Sequence, residues 1–387
     1  MKKWILGTII ILVLAGAITG WLLYQNQARA PQKQPDISKP APMPKPKPEP
    51  SYVDTLLSKM TLRDKIASLL VMNTAGTDPV VLGQFMNTYK LGGFILMGEN
   101  MPMSDAVLQA ETAALRGGDA KVPRLVSTDE EGGTVKRLLG DNYASALTLK
   151  NQPIAATTQA FSDRSAMVQS VGITLNFGII ADTTANPDSF IYDRVLGTTP
   201  GAAAQRVTAA VNASKGKTLS TIKHFPGHGE TVADSHLTIP TIPISYDEWL
   251  ARDEPPFAAG IAAGADVVMA GHLRYSAVDS RPASLSKKWH DILRGTLGFK
   301  GVIMTDAMGM LLDSGDVAYA DPVRDAVLAL QAGNTMLLYV TDPTASPTVL
   351  IDGIAASVKH GDLSEALITQ NARLALELRS KSAVLVK

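Results

Sequence analysis

Residues 219–236 read LSTIKHFPGHGETVADSH. Leu219 and Ile222 lead into Lys223 and His224, and the chain then breaks at Pro226, Gly227 and Gly229. Apolar residues ending in such breakers predict a β-strand running into a loop, with titratable groups at the strand's C-terminal end. Three of the chain's six histidines fall here: His224, His228 and His236. Asp234 precedes His236 by two positions. A carboxylate that close can fix an imidazole's tautomer and raise its basicity, which suits proton transfer near neutral pH. Two plainer readings stand beside this one. The histidines can be structural, or they can bind metal. Against metal, H-x3-H-x7-H is not a zinc-motif spacing, and the chain has no cysteine.

Working outward, seven more short apolar runs end in glycine or polar residues. With 219–224 they are 69–73, 93–97, 124–129, 173–182, 266–272, 301–306 and 335–340. Stretches of helical period lie between most of them, at 200–216, 246–264, 286–297 and 319–332. Strand and helix alternating through eight units predicts an α/β fold, a closed (β/α)8 TIM barrel filling 51–387. Asp129, Asp182, Lys223 with His224, His272 and Asp306 each end a run. In a barrel those ends converge on the rim where active sites are built.

The chain has 387 residues, no formal net charge and 45% hydrophobic residues, which allows one large core or two modest ones. Neutrality gives no argument for a nucleic-acid partner. The lack of cysteine excludes disulfides, thiolate metal sites and a lipidated cysteine, and leaves the compartment open.

Residues 4–24 carry no charge and follow Lys2 and Lys3. As a helix they would span ~31 Å, about one hydrocarbon core. Trp4, Trp21 and Tyr24 stand at the ends, where interfacial aromatics belong. The expectation is an uncleaved, single-pass membrane anchor within 1–30, with the 51–387 barrel outside the cytoplasm. A cleaved signal peptide is the rival, because Ala28-Arg29-Ala30 offers an A-x-A pattern. Residues 31–50 include eight prolines interspersed with lysine and read as an extended, solvated linker.

The 219–236 stretch, with K-H-F-P-G-H-G followed by D-S-H, resembles family 3 glycoside hydrolases, specifically the β-N-acetylhexosaminidase branch. The resemblance extends over nearly all of 51–387. Leu91-Gly92-Gly93-Phe94-Ile95-Leu96 resembles the family's second strand, and Asp129-Glu130-Glu131-Gly132-Gly133 matches its D-[EQ]-E-G-G motif. Asp193-Arg194 and 298–310, GFKGVIMTDAMGM, continue the series. Two departures stand out. Val195-Leu196 replaces the usual S-F after D-R, and Thr134 replaces an arginine common after E-G-G. Both flank positions tied to sugar binding and put fine substrate preference in question.

The resemblance implies a retaining glycosidase that releases terminal N-acetylglucosamine from β-linked glycans and needs no cofactor or metal. It assigns Asp306 as nucleophile, agrees with a His236–Asp234 acid/base dyad, and places a substrate-binding arginine at Arg137; Asp129, Arg194, Lys223 and His224, at or near the strand ends, are the further candidates for holding the sugar's hydroxyls and 2-acetamido group. Larger family members draw groups from a C-terminal second domain. Here only a short helical tail, roughly 364–380, is expected after the last strand, and the loop histidine takes the acid/base place. An imidazole titrates near ~6.5, so it can donate to a leaving oxygen and then accept from water. Being neutral as a base, it also leaves phosphorolysis open. The expected substrates are peptidoglycan fragments, with chito-oligosaccharides or plain β-glucosides as alternatives and a monomer as the expected state. An inactive cell-wall-binding protein is the reading from a different class. Of the remaining histidines, His290 and His360 are expected on solvated helix surface, and His272 either lines the pocket or packs. Gly227 and Gly229 suggest a moving loop.

Overall fold

A computed structural model describes residues 20–21, 23–25, 51–118, 120–340 and 343–385. The chain divides into two compact units, Met1–Glu49 and Pro50–Lys387. Within the first, the expected anchor over 4–24 lies outside the described residues except for 20–21 and 23–24, which are helical together with Gln25, and the 31–50 linker lies wholly outside them. Among the described residues, no helix is long and apolar enough to cross a membrane.

The second unit is a closed parallel barrel. Its strands are β1 (Leu70–Met72), β2 (Gly93–Ile95), β3 (Leu125–Thr128), β4 (Leu175–Ile180) and β5 (Leu219–Phe225). They continue with β7 (Val267–Ala270), β9 (Val302–Ala307) and β10 (Met336–Leu338), which closes on β1. Each coincides with one of the eight apolar runs. The reason is burial: every residue of β1 to β5, β7 and β10 is buried, as expected where helices cover one face of a parallel sheet and packed side chains fill the other. Two short strands, β6 (Thr241–Ile242) and β8 (Arg274–Tyr275), pair outside the barrel. Gly92 shows how tight the ring is, since a Cβ there would sit 2.0 Å from the Ser68 carbonyl oxygen.

The helices follow their local chemistry. Pro200–Ser214 starts on a Thr199 cap with Pro200 in the first turn, where no N–H is needed. The expected 246–264 helix is two, Tyr246–Arg252 and Glu254–Ala262, because Pro255 and Pro256 cannot donate to a preceding turn and instead open a new one. The helical tail expected at 364–380 is the helix Glu365–Ser382, and a further helix, Pro347–His360, precedes it and ends at Gly361, whose φ is 92°.

Behind β5, Phe225, Trp249, Phe257, Tyr275 and Trp289 pack edge to face with centroids 4.9–6.0 Å apart. Two of these rings also hold the chain leaving β5. Trp249 Nε1 donates to Pro226 O at 2.8 Å, and Tyr275 Oη to Gly227 O at 2.7 Å. His290 corrects the expectation of a solvated side chain. It is 3% exposed, with Nδ1 2.8 Å from Ser286 O, under Gly333, where a Cβ would lie 3.0 Å from its own. His360 is exposed as expected.

Candidate active site

The C-terminal strand ends build the floor of a cavity of about 300 Å3, at the small end of the range for ligand sites. Asp129, Arg137, Arg194, Lys223, His224, His236 and Asp306 all line it. Asp234 stands behind His236 and does not line it.

Lys223 is the centre of the floor. Its Nζ lies 2.8 Å from Asp129 Oδ1 and 2.8 Å from Glu131 Oε1. Arg194 grips the same Glu131 with two donors, Nε to Oε2 at 2.8 Å and Nη2 to Oε1 at 2.7 Å. Burial alone would raise the Glu131 pKa, but Lys223 and Arg194 outweigh it and bring it down to about 2. Burial would likewise strip the Lys223 proton, and Asp129 and Glu131 outweigh that too, so its pKa is raised. Lys223 still has a third N–H for a ligand. Arg137 reaches to 3.8 Å from Asp129 Oδ2.

Asp182, two residues past the end of β4, anchors the next turn. It accepts from the backbone N–H groups of His224 (3.1 Å) and His228 (2.7 Å) and lies 2.8 Å from His224 Nδ1. Burial would raise its pKa, but His224 lowers it. With Nδ1–H committed to Asp182, His224 Nε2 is the acceptor, 3.4 Å from Arg194 Nη2.

Asp306 lies near the end of β9, partly exposed at the cavity, with Oδ1 accepting from Ala307 N–H at 2.8 Å. Burial would raise its pKa, but His224, Lys223 and the Ala307 N–H outweigh it, so the carboxylate is ionised at neutral pH. His236 lines the same cavity from the loop after β5 and is exposed. Asp234 Oδ1 accepts from both its backbone N–H (2.9 Å) and its Nδ1 (2.7 Å), leaving Nε2 as the working nitrogen. Burial would raise the Asp234 pKa, and these two bonds lower it.

The loop's two glycines are set by close packing. Residues 221–229 are buried throughout. A Cβ at Gly229 would fall 1.8 Å from Thr183 O, and Gly227 holds a φ of 139°. Both are needed for close packing. The exposed part begins at Glu230, which pairs with Arg252. His228 is buried, and its Nε2 ties Ser235 Oγ at 3.0 Å. Burial lowers its pKa to about 4, keeping it neutral. Phe190 lies between the rings of His228 and His236, at 5.4 and 5.8 Å.

Glu131 is the main floor residue that sequence reasoning left without a role, although its motif was in view. In the turn after β3, Glu131 enters the cavity while Glu130 turns away to accept from Arg137 N and Leu138 N at 2.9 and 2.8 Å. Burial and the nearby Asp141 raise the Glu130 pKa. The departures are also placed. Val195 and Leu196 are 0% and 1% exposed and face the core, and Thr134 is exposed outside the cavity lining. Among the described residues, no group of three His, Asp or Glu side chains is placed to hold a metal ion.

A carboxylate-floored cavity at the C-terminal mouth of a parallel barrel, overhung by an imidazole–carboxylate pair, has the makings of acid/base chemistry on a polar substrate. Known proteins narrow this. The family model described as "Glycosyl hydrolase family 3 N terminal domain" matches residues 61–378. A Beta-hexosaminidase of Stenotrophomonas maltophilia is 30% identical over 331 residues, covering 78% of this chain and 98% of that one. A Beta-hexosaminidase of Xanthomonas campestris pv. campestris is 33% identical over 255 residues, 62% of this chain and 76% of that one. Among solved structures, a family 3 β-N-acetylglucosaminidase from Paenibacillus sp. is 29% identical with a TM-score of 0.78, covering 84% of this chain and 63% of that one. The β-N-acetylhexosaminidase of Beutenbergia cavernae gives 26%, a TM-score of 0.73, and 83% and 99%.

The protein is therefore a glycosidase. It belongs to glycosyl hydrolase family 3, whose N-terminal domain its barrel represents.

Proposed function

We propose that the protein is a retaining β-N-acetylhexosaminidase that removes terminal, non-reducing N-acetylglucosamine. The observation that carries the reading is one cavity lined by both the Asp306 carboxylate and His236, the latter backed by Asp234 at 2.7 Å. The names of the relatives support it. Asp306 attacks the anomeric carbon while protonated His236 gives its proton to the departing oxygen, forming a glycosyl ester on Asp306. Neutral His236 then takes a proton from water, whose oxygen attacks the same carbon and frees Asp306. Lys223, Asp129, Arg137, Arg194 and His224 hold the sugar's hydroxyls and 2-acetamido group.

The substrate class is peptidoglycan fragments, reached from a single-pass anchor at 4–24 through the 31–50 spacer, with the barrel outside the cytoplasm. Support for that location is the uncharged run behind Lys2 and Lys3 and the proline-rich stretch after it. A panel of chromogenic β-glycosides with and without the 2-acetamido group tests the activity. Turnover only with the acetamido sugars is expected, and equal turnover of plain β-glucosides would refute it. Fractionation tests the anchor: mature protein beginning at Pro31 would show a cleaved signal instead.

A further inference from the structure

The geometry points to His272 as a positioning residue: we infer that its imidazole fixes the β-bulge that aims Asp306 into the cavity. The inference rests on the reading of Asp306 as nucleophile. Met304 of β9 pairs with Met336 of β10, but the next pairing is Ala307 with Leu338. Three steps on β9 therefore match two on β10, and Thr305 and Asp306 share the place opposite Leu337. A bulge of this kind bends its strand and redirects a side chain, but it also takes backbone groups out of the ladder. Those groups need other partners.

Side chains supply them. The Leu338 N–H goes to Thr305 Oγ1 at 3.1 Å. The Ala307 carbonyl lies 3.0 Å from His272 Nε2. A carbonyl only accepts, so Nε2 carries the hydrogen, and in the neutral ring Nδ1 accepts from Ser284 Oγ–H at 2.7 Å. Burial lowers the ring's pKa, which agrees with the neutral form. The N–H of the same Ala307 donates to Asp306 Oδ1. One residue thus joins His272 to the nucleophile, and Oδ2 is left to attack. Ser284 is held in turn: its carbonyl accepts from Asn334 Nδ2 at 2.7 Å, and the Asn334 carbonyl accepts from Asn371 Nδ2 at 3.0 Å. His272 is 1% exposed and does not line the cavity, so it acts through the backbone and not on the sugar.

The test measures kcat and KM on an aryl β-N-acetylglucosaminide, well below each variant's Tm, for His272→Leu, His272→Gln, Ser284→Ala and Asp306→Ala. Leucine removes the donor, and glutamine can restore it. His272→Leu is expected to lose roughly 100-fold in kcat, the scale of a small misplacement of a reacting group, with KM little changed. His272→Gln should recover much of that loss, and Ser284→Ala should lose roughly tenfold through a freed tautomer. A folded His272→Leu with full kcat would overturn the inference, as would a raised KM at unchanged kcat. If His272→Leu does not fold, full kcat in Ser284→Ala overturns it instead. An active Asp306→Ala would sink the nucleophile reading itself. A dead Asp306→Ala beside an unimpaired His272→Leu would sink only the positioning role.

Discussion

On the floor of the cavity, Lys223 and Glu131 expose 4% and 3% of their side chains, whereas on its lip His236 and Asp234 expose 60% and 33%. The floor is a set of ion pairs linking Asp129, Glu131, Arg194 and Lys223. Its charges are fixed in a weakly screening environment, where oriented groups stabilise developing charge without reorganising. The lip carries one hydrogen-bonded pair on an exposed loop, tied at Ser235 and Phe190. The difference follows from the work assigned to each. A sugar must be held in one pose throughout, so its holders gain from rigidity. An acid/base group must exchange protons, and solvent contact helps it do so.

The largest expected effect breaks the floor at its reactive point. Asp306→Ala should lower turnover on the order of 10^4-fold while the barrel stays folded, read by steady-state kinetics beside a thermal melt. Near-wild-type rates would remove Asp306 from the mechanism.

Glu131→Gln tests whether the floor is a single electrostatic unit. It leaves Lys223 and Arg194 without their shared carboxylate in a buried place, so unfolding free energy should fall by about 3 kcal/mol in a denaturant titration. Linkage gives the same group a pH signature. Its folded pKa is about 2, below the unfolded value of ~4.3. Its stabilisation is therefore full above the unfolded value and lost as pH falls toward about 2. The wild type should lose stability across that window more steeply than Glu131→Gln. Parallel pH profiles for the two would contradict the assignment.

Asp234→Asn belongs to the lip and should cost least. The pair it disrupts is exposed and screened, so kcat on a disaccharide should drop roughly fivefold, with no measurable change in Tm. A loss as deep as that of Asp306→Ala would mean that the lip is as preorganised as the floor.

The fold was legible because its eight strands are buried over most of their length on both faces and so read as short, mostly apolar runs. Two-residue strands such as Thr241–Ile242 leave no such trace. The site was legible wherever chemistry ends a strand, as at Asp306, Lys223 and His224. It was opaque where a turn decides the direction of a side chain. Glu130 and Glu131 are adjacent and identical in type, and only the backbone after β3 sends one to the back of the loop and the other to Lys223. Gly227 and Gly229 looked like hinges because packing against Asp253 and Thr183 is invisible in one dimension. His290 looked solvated because its covering residue, Gly333, is distant in sequence.

The central claim is that His236 passes protons above a floor where Asp306 carries the sugar. A leaving-group series on wild type and His236→Ala tests it most directly, with intact-protein mass spectrometry to detect the ester on Asp306. An activated phenol hardly needs a proton and a sugar hydroxyl does. The variant should therefore keep a measurable first step on aryl glycosides and lose about 10^2- to 10^4-fold on disaccharides. The ester should accumulate, because water in the second step lacks its base, and azide should restore turnover by attacking without one. Equal losses for aryl and sugar leaving groups, with no ester detected, would contradict the account and place the proton transfer elsewhere on the rim.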